Sequence, residues 1–200
     1  MRRNSHFTLA IAGFVAAALL AVAGGLLLWG STYVHNTVQN QLAAQQIYFP
    51  AASAFAHPKT GTEITPNMIP SVSQYAGQQL LTGQQAEAYA DHFIAQHIAD
   101  MSGGKTYSQL SAESMAAPNN TKLAGLVATV FKGETLRSML LNAYGWRKVS
   151  QITFIASLVA FGLAGLAFLA SLAGLTLGQK PEITHEAIAA TGEQTQTKAV

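Results

Sequence analysis

The chain is 200 residues long and half hydrophobic, with 10% charged residues, 11 Lys+Arg against 9 Asp+Glu, and no cysteine. A soluble domain carries charge on about a quarter of its residues, so this composition leaves too little polar surface for a water-facing globule and points to a membrane protein. The missing cysteine excludes disulfide frameworks, Cys-ligated zinc or iron–sulfur centres, thiol nucleophiles and diacylglyceryl anchors. A net charge of +2 offers no clustered basic face for nucleic acid.

After Arg2 and Arg3 no Lys, Arg, Asp or Glu occurs until Lys59, and residues 7–30 are almost wholly apolar. A hydrocarbon core about 30 Å thick needs roughly 20 apolar residues in a helix, so 7–30 is expected to be the first transmembrane helix, with 1–6 as a cytoplasmic N-terminus. Ala21-Val22-Ala23 after the basic start also fits a signal-peptide cleavage site. The apolar run continues through Leu26, Leu27, Leu28 and Trp29, past the end of a short signal core, which favours an uncleaved anchor. Gly13, Ala17, Ala21 and Gly25 recur every fourth residue, a spacing that lets helices approach closely in lipid.

The segment 31–148 reads as a mostly helical extracytoplasmic domain. Val34, Val38 and Leu42 form a narrow apolar stripe, so the first helix should continue out of the membrane and end near Ile47-Tyr48-Phe49-Pro50. Four prolines between Pro50 and Pro70 predict a loop or short strands, with a turn at Lys59-Thr60-Gly61. A short helix is expected around Val72 to Leu81. Thr82 with Gln85 reads as a capping box opening a helix through Ala86, Tyr89, Ala90, Phe93, Ile94, Ile98 and Met101, stopped by Gly103 and Gly104. After Pro118-Asn119-Asn120, Thr121 is expected to cap a helix with Leu123, Leu126, Val127, Val130 and Phe131 on one face. That helix should continue through Leu136, Leu140 and Leu141 into the second span, with Gly133 as a candidate kink.

The second transmembrane helix is expected at 149–177, apolar from Ile152 to Leu177, with small residues at Ala156, Ala160 and Ala164 and then Gly174 and Gly178. Trp29 and Tyr33 close the first span while Tyr144 and Trp146 precede the second, and such rings favour the headgroup layer. The tail 178–200 is poor in large apolar residues and is expected to be disordered and cytoplasmic. Arg2 and Arg3 set the N-terminus inside; Arg137, Arg147 and Lys148 ahead of the second span argue the other way, but the first helix usually dominates. The expectation is a plasma-membrane protein with two spans and both termini cytoplasmic.

Several motifs invite chemistry. Ala99 to Thr106 reads A-D-M-S-G-G-K-T, a loose phosphate loop with Ala for the first Gly, but a helix rather than a strand precedes it. Ser102 and Lys105 form S-x-x-K, and Lys59-Thr60-Gly61 is its companion triplet in penicillin-binding enzymes, in reversed order and in too short a chain. Of six histidines, His92 and His97 lie near Asp91 and Asp100, yet an i, i+5 pair sits about 140° apart on a helix, so no metal site is read. His35 and His57 stand alone. Glu134 and Arg137 are spaced for a helical ion pair. Neither span holds an ionisable residue, with His6 at the extreme start, which argues against a pump or coupled transporter acting alone.

Gly103-Gly104-Lys105-Thr106-Tyr107-Ser108, Gly133-Glu134-Thr135-Leu136-Arg137 and Leu140-Leu141-Asn142-Ala143-Tyr144 resemble recurring blocks of a family of small two-span membrane proteins from actinobacteria. Gln45-Gln46-Ile47-Tyr48-Phe49-Pro50 and His92-Phe93-Ile94-Ala95-Gln96-His97 are similar to others. The resemblance implies the two-span layout and carries no catalytic residues. Some members bear a label of aromatic ring-opening dioxygenase, an activity that needs convergent His and carboxylate ligands to iron; this sequence presents no such set.

The expected function is that of a non-enzymatic integral membrane protein of the cell envelope, structural or accessory, whose outer helical domain meets protein or envelope components. Its expected partners are the lipid bilayer and either another membrane protein or further copies of itself, with no nucleic acid and no cofactor. A ligand-sensing or substrate-binding membrane module is the alternative. An enzyme is the second alternative, with Lys105, His92 and His97 as the candidates for its site.

Overall fold

The computed structural model describes residues 2–177 and is all-helical, with no strand among the described residues. The tail expected to be disordered, 178–200, and Gly178 lie outside the described residues. Two helices dominate: α1 spans Arg2–Ala44 and α6 spans Thr121–Leu177. Both are long and apolar enough to cross a membrane, with mean hydropathy of 2.5 and 2.3 in their most apolar 18-residue stretches. Only 11% of each stretch is buried, which is not how a core helix of a soluble protein sits.

The chain divides into two compact units, one made of the stretch up to Gly25 with the stretch from Ser157 on, the other of Leu26–Ala156. In the first unit α1 and α6 run antiparallel: Gly13 lies against Ser171, Phe14 against Phe168 at 5.4 Å between ring centroids, and Gly24 against Phe161. The buried positions on α1 are Ala10, Ala17 and Gly24, and on α6 Ser157, Ala160, Ala164 and Ser171. On α1 the buried positions thus step by seven residues rather than four, while on α6 Ala160 adds steps of three and four. Of the stripe expected from sequence, Gly13 and Ala17 take part, whereas Ala21 is exposed and Gly25 has nothing near it. On α6, Ala160 and Ala164 are buried as expected, while Gly174 meets no neighbour.

The second unit has a continuous apolar core. Val38 and Leu42 of α1 and Val130 and Leu140 of α6 enclose Phe49, Ile64, Met68, Val72 and Leu80 from the intervening chain. α1 ends at Ala44, slightly ahead of the expected Ile47–Pro50 boundary, because Gln46 turns to a positive φ of 52°. The Ala43 carbonyl, left open at the helix end, accepts from Gln46 N and from the Gln79 side chain, both at 3.1 Å. Lys59-Thr60-Gly61 does form a turn, with Gly61 at φ +81°.

The short helix expected at Val72 to Leu81 lies earlier, as α2 (Ile69–Val72) between two 3-10 turns, Pro66–Met68 and Ser73–Tyr75. After a turn at Ala76 and Gly77, residues 78–80 pair with the chain after α1: Phe49 N donates to Gln78 O at 2.9 Å and Leu80 N to Ile47 O at 2.8 Å. Tertiary pairing there overrides local helical preference.

Thr82 caps α3 (Gly83–Ala88) through a full capping box with Gln85. The buried Gln85 amide oxygen accepts from Leu81 N and Thr82 N, while its Nε2 donates to Gln78 at 3.0 Å. The helix then widens into a π-helical turn, Tyr89–Ile94, before α4 (Ala95–Ser102), and Gly103 stops it in the left-handed conformation at φ +61°. A further helix, α5 (Tyr107–Ala116), was not expected; Thr106 and Gln109 cap it with the same reciprocal box. The cap of α6 is Asn120, whose Oδ1 accepts from Leu123 N at 3.0 Å, in place of the expected Thr121.

α6 passes Gly133 without interruption. An added Cβ there would meet Ile98 Cδ1 at 2.9 Å, so this glycine serves close approach of α4 rather than a kink. Gly83 works the same way at the start of α3: a Cβ would lie 2.6 Å from Arg147 Cβ and 3.3 Å from Tyr144 Cα. Gly83→Ala is therefore expected to cost about 1–3 kcal/mol by overpacking. Gly125→Ala, with nothing within 4 Å, should be neutral or stabilising by up to about 1 kcal/mol. Thermal unfolding of the detergent-solubilised full chain, with both variants side by side, checks this.

Candidate functional site

The polar chemistry of the second unit concentrates where α1 and α6 pass each other at Ser31 and Ser150. Ser31 Oγ donates to the Ser150 carbonyl at 2.8 Å, and Ser150 Oγ donates to the Ser31 carbonyl at 3.0 Å. Both serines are buried, at 5% and 1% exposure, so this reciprocal clasp fixes the two helices against one another away from water. Each short hydroxyl satisfies itself on a backbone carbonyl that already serves its own helix, which allows close approach without an orphaned donor.

Beside the clasp opens a cleft of about 490 Å³. Its polar wall is His35, Arg147 and Gln151 with the Thr32 hydroxyl; its apolar wall is Phe154 and Ile155. The Arg147 stem is held by α3 across Gly83. Its guanidinium donates to Ser150 Oγ at 3.4 Å and makes no ion pair among the described residues. The buried Nδ1 of His35 has no hydrogen-bond partner among the described residues. In the sequence His35 stands isolated and Arg147 reads only as a topological charge; separated by more than half of the chain, they carry no local signal that joins them.

Arg137 is placed quite differently. Its Nη2 and Nε reach Asp91 Oδ1 at 2.9 and 3.2 Å, and its Nη1 reaches Glu134 at 3.4 Å. The Asp91 hydrogen bond raises the Arg137 pKa further above its ordinary value, against an opposing contribution from burial. The i, i+3 pair with Glu134 is thus present, but the closer partner is Asp91, which ties the π-helical turn to α6.

The other sequence candidates are not brought together. Lys105, just after the Gly103-Gly104 turn, pairs with Glu113 of α5 at 2.7 Å, both about half exposed, so the ion pair contributes at most about 1 kcal/mol. Ser102 Oγ bonds back toward Ala99 O at 3.5 Å, within its own helix. The A-D-M-S-G-G-K-T segment is a helix stop followed by the Thr106 cap, with Gly103 and Gly104 both at positive φ. His92 is exposed, while His97 Nδ1–H donates to the Phe93 carbonyl at 2.8 Å. No group of three or more His, Cys, Asp or Glu is arranged for a metal among the described residues.

An aromatic chain runs through the core of this unit: Tyr75, Phe49, Tyr89, Phe93 and His97 follow one another at centroid distances of 5.1, 5.3, 4.7 and 4.6 Å. Burial, with a smaller push from the Glu63 carboxylate, raises the Tyr89 phenol above its ordinary value of 10.0. No family model matches the chain, and neither a curated protein nor a solved structure does.

The raised Tyr89 pKa has a defined consequence. The folded state holds the phenol proton more tightly than the unfolded chain, so this contribution is complete below pH 10.0 and is lost as pH rises through the folded value. Tyr89→Phe is expected to leave the neutral-pH melting temperature nearly unchanged and to make its decline above pH 10.0 shallower. Melting curves of both proteins at stepped alkaline pH check the difference.

Proposed function

We propose that the chain is an accessory or structural protein of the cell envelope, held in the plasma membrane by two spans, with both termini inside and residues 31–148 outside. The single observation that carries the reading is the exposure of the two apolar helices. Phe7, Leu9, Leu19, Val22 and Leu26 of α1, and Ile152, Leu166 and Leu169 of α6, are each more than 60% exposed. Water would not tolerate apolar faces of that extent on a monomer, whereas lipid requires them.

The aromatic side chains are placed in keeping with this. Trp29 and Tyr33 stack at 5.8 Å on α1, and Lys148 lies 5.2 Å over the Tyr144 ring on α6. Trp29, Tyr33 and Trp146 are all more than half exposed, as rings at a headgroup layer would be. The compact helical unit between the spans, braced by two capping boxes and the Asp91–Arg137 pair, then serves as a rigid surface for another envelope component or a second copy, without catalysis.

Absence of cysteine makes the topology directly testable. Ser53→Cys and Ser108→Cys, both at exposed positions, and Thr195→Cys are introduced singly. A membrane-impermeant thiol reagent on intact cells is expected to label the first two and to spare the third until the cells are opened. Labelling of Thr195→Cys alone would invert the protein and remove the proposal of an outer domain.

A further inference from the structure

We propose that the cleft between His35 and Arg147 binds the headgroup phosphate of an anionic membrane phospholipid. The inference rests on the reading that the two apolar helices span a bilayer. Arg147 is half-buried and lacks a carboxylate partner among the described residues, in contrast to Arg137, which has two. A guanidinium presents five donors in a planar fork that matches phosphate oxygens, and here one of them makes a single long bond to Ser150. His35 and the Gln151 amide face the same cleft and add hydrogen-bonding groups beside the charge.

The apolar wall distinguishes a lipid from a free anion. Phe154 and Ile155, 45% and 60% exposed, lie three and four residues after Gln151 on α6, at the start of its apolar run. A glycerol backbone and the first acyl methylenes can cover them while the phosphate remains at Arg147. Inorganic phosphate would gain nothing from that wall. The level is also appropriate: the charged residues Arg147 and Lys148 stand immediately before the expected span 149–177, and exposed Trp29, Tyr33 and Trp146 lie on the same stretch of the two helices. The backbone behind the cleft is fixed by the serine clasp and by α3 against the Arg147 stem, so the site is built before the ligand arrives.

The test is native mass spectrometry of the full chain in a neutral detergent, titrated separately with phosphatidylglycerol, phosphatidylcholine and inorganic phosphate. The first phosphatidylglycerol is expected to bind about tenfold more tightly than phosphatidylcholine, as a charge-assisted bidentate contact allows. Arg147→Gln, which keeps the Cβ and Cγ that pack on Gly83, should abolish that preference, while Lys148→Gln should retain it. His35→Phe and Gln151→Ala should each reduce it about threefold, roughly the loss of one modest hydrogen bond, and they keep the test decisive if Arg147→Gln unfolds. Circular dichroism verifies the fold of each variant. Equal binding of the two lipids, or a preference untouched by all three cleft variants, overturns the proposal. Displacement of phosphatidylglycerol by equimolar inorganic phosphate overturns the lipid as ligand and leaves a free-anion site. The two readings fail separately: a chain recovered in the aqueous fraction of lysed cells defeats the spans, whereas a membrane-held chain indifferent to headgroup charge defeats this inference alone.

Discussion

Ser31 and Ser150 each donate a hydrogen bond to the other's backbone carbonyl, and in the larger unit the two long helices are held together there. Two helices that are apolar on every side gain little hydrophobic energy from touching each other in lipid, since the tails are as apolar as leucine. Helices in lipid pair instead through close backbone approach and through hydrogen bonds worth on average about 0.6 kcal/mol each. Small side chains supply the first and paired hydroxyls the second. Within the first unit the buried small residues recur at seven on α1, at Ala10, Ala17 and Gly24, and on α6 at Ser157, Ala164 and Ser171, with Ala160 between the first two. Seven residues is the period at which two helices keep one seam in register with a left-handed twist.

Within the larger unit, α1 and α6 act as posts and the shorter helices lean on them. Glycine is used where two backbones must meet: Gly83 receives Arg147, and Gly133 receives Ile98. Between these two supports the helix from Gly83 to Ser102 takes a π-helical turn, which carries Asp91 into reach of Arg137. The same arrangement leaves Arg147 differently placed. Its stem is clamped, its head is unpaired by any carboxylate among the described residues, and an apolar wall stands beside it. One helix thus carries a structural arginine and, ten residues later, an arginine available to a ligand.

The long periodic features were legible from the residues. The charge-free runs give both long helices, and Val38, Leu42, Ala86, Ala90, Ile94, Ile98, Val130 and Leu140 are buried where apolar spacing put them. Thr82 with Gln85 and the stop at Gly103 were also readable, because caps are local chemistry. The Thr106–Gln109 box carries the same signature and was overlooked beneath the Gly-Gly-Lys-Thr string, so α5 was missed. Counting small residues by fours on α1 drifted off the true face at Ala21, since the packed seam repeats every seven. The segment after Tyr75 was misread as helical because its partner, the chain after α1, is distant in sequence. His35 with Arg147, Asp91 with Arg137 and Ser31 with Ser150 are all pairings across long separations, which periodicity does not encode.

Most depends on α1 and α6 meeting at the Ser31–Ser150 clasp, and one measurement addresses it directly. With no cysteine in the 200-residue sequence, the double variant Ser31→Cys, Ser150→Cys is oxidised in isolated native membranes and followed by mobility on a non-reducing gel. The account predicts near-complete disulfide formation within a single chain, with no such product when Ser150→Cys is replaced by Trp146→Cys, whose side chain is 51% exposed. Failure of the Ser31→Cys, Ser150→Cys pair to close, or closure chiefly between separate chains, would contradict it.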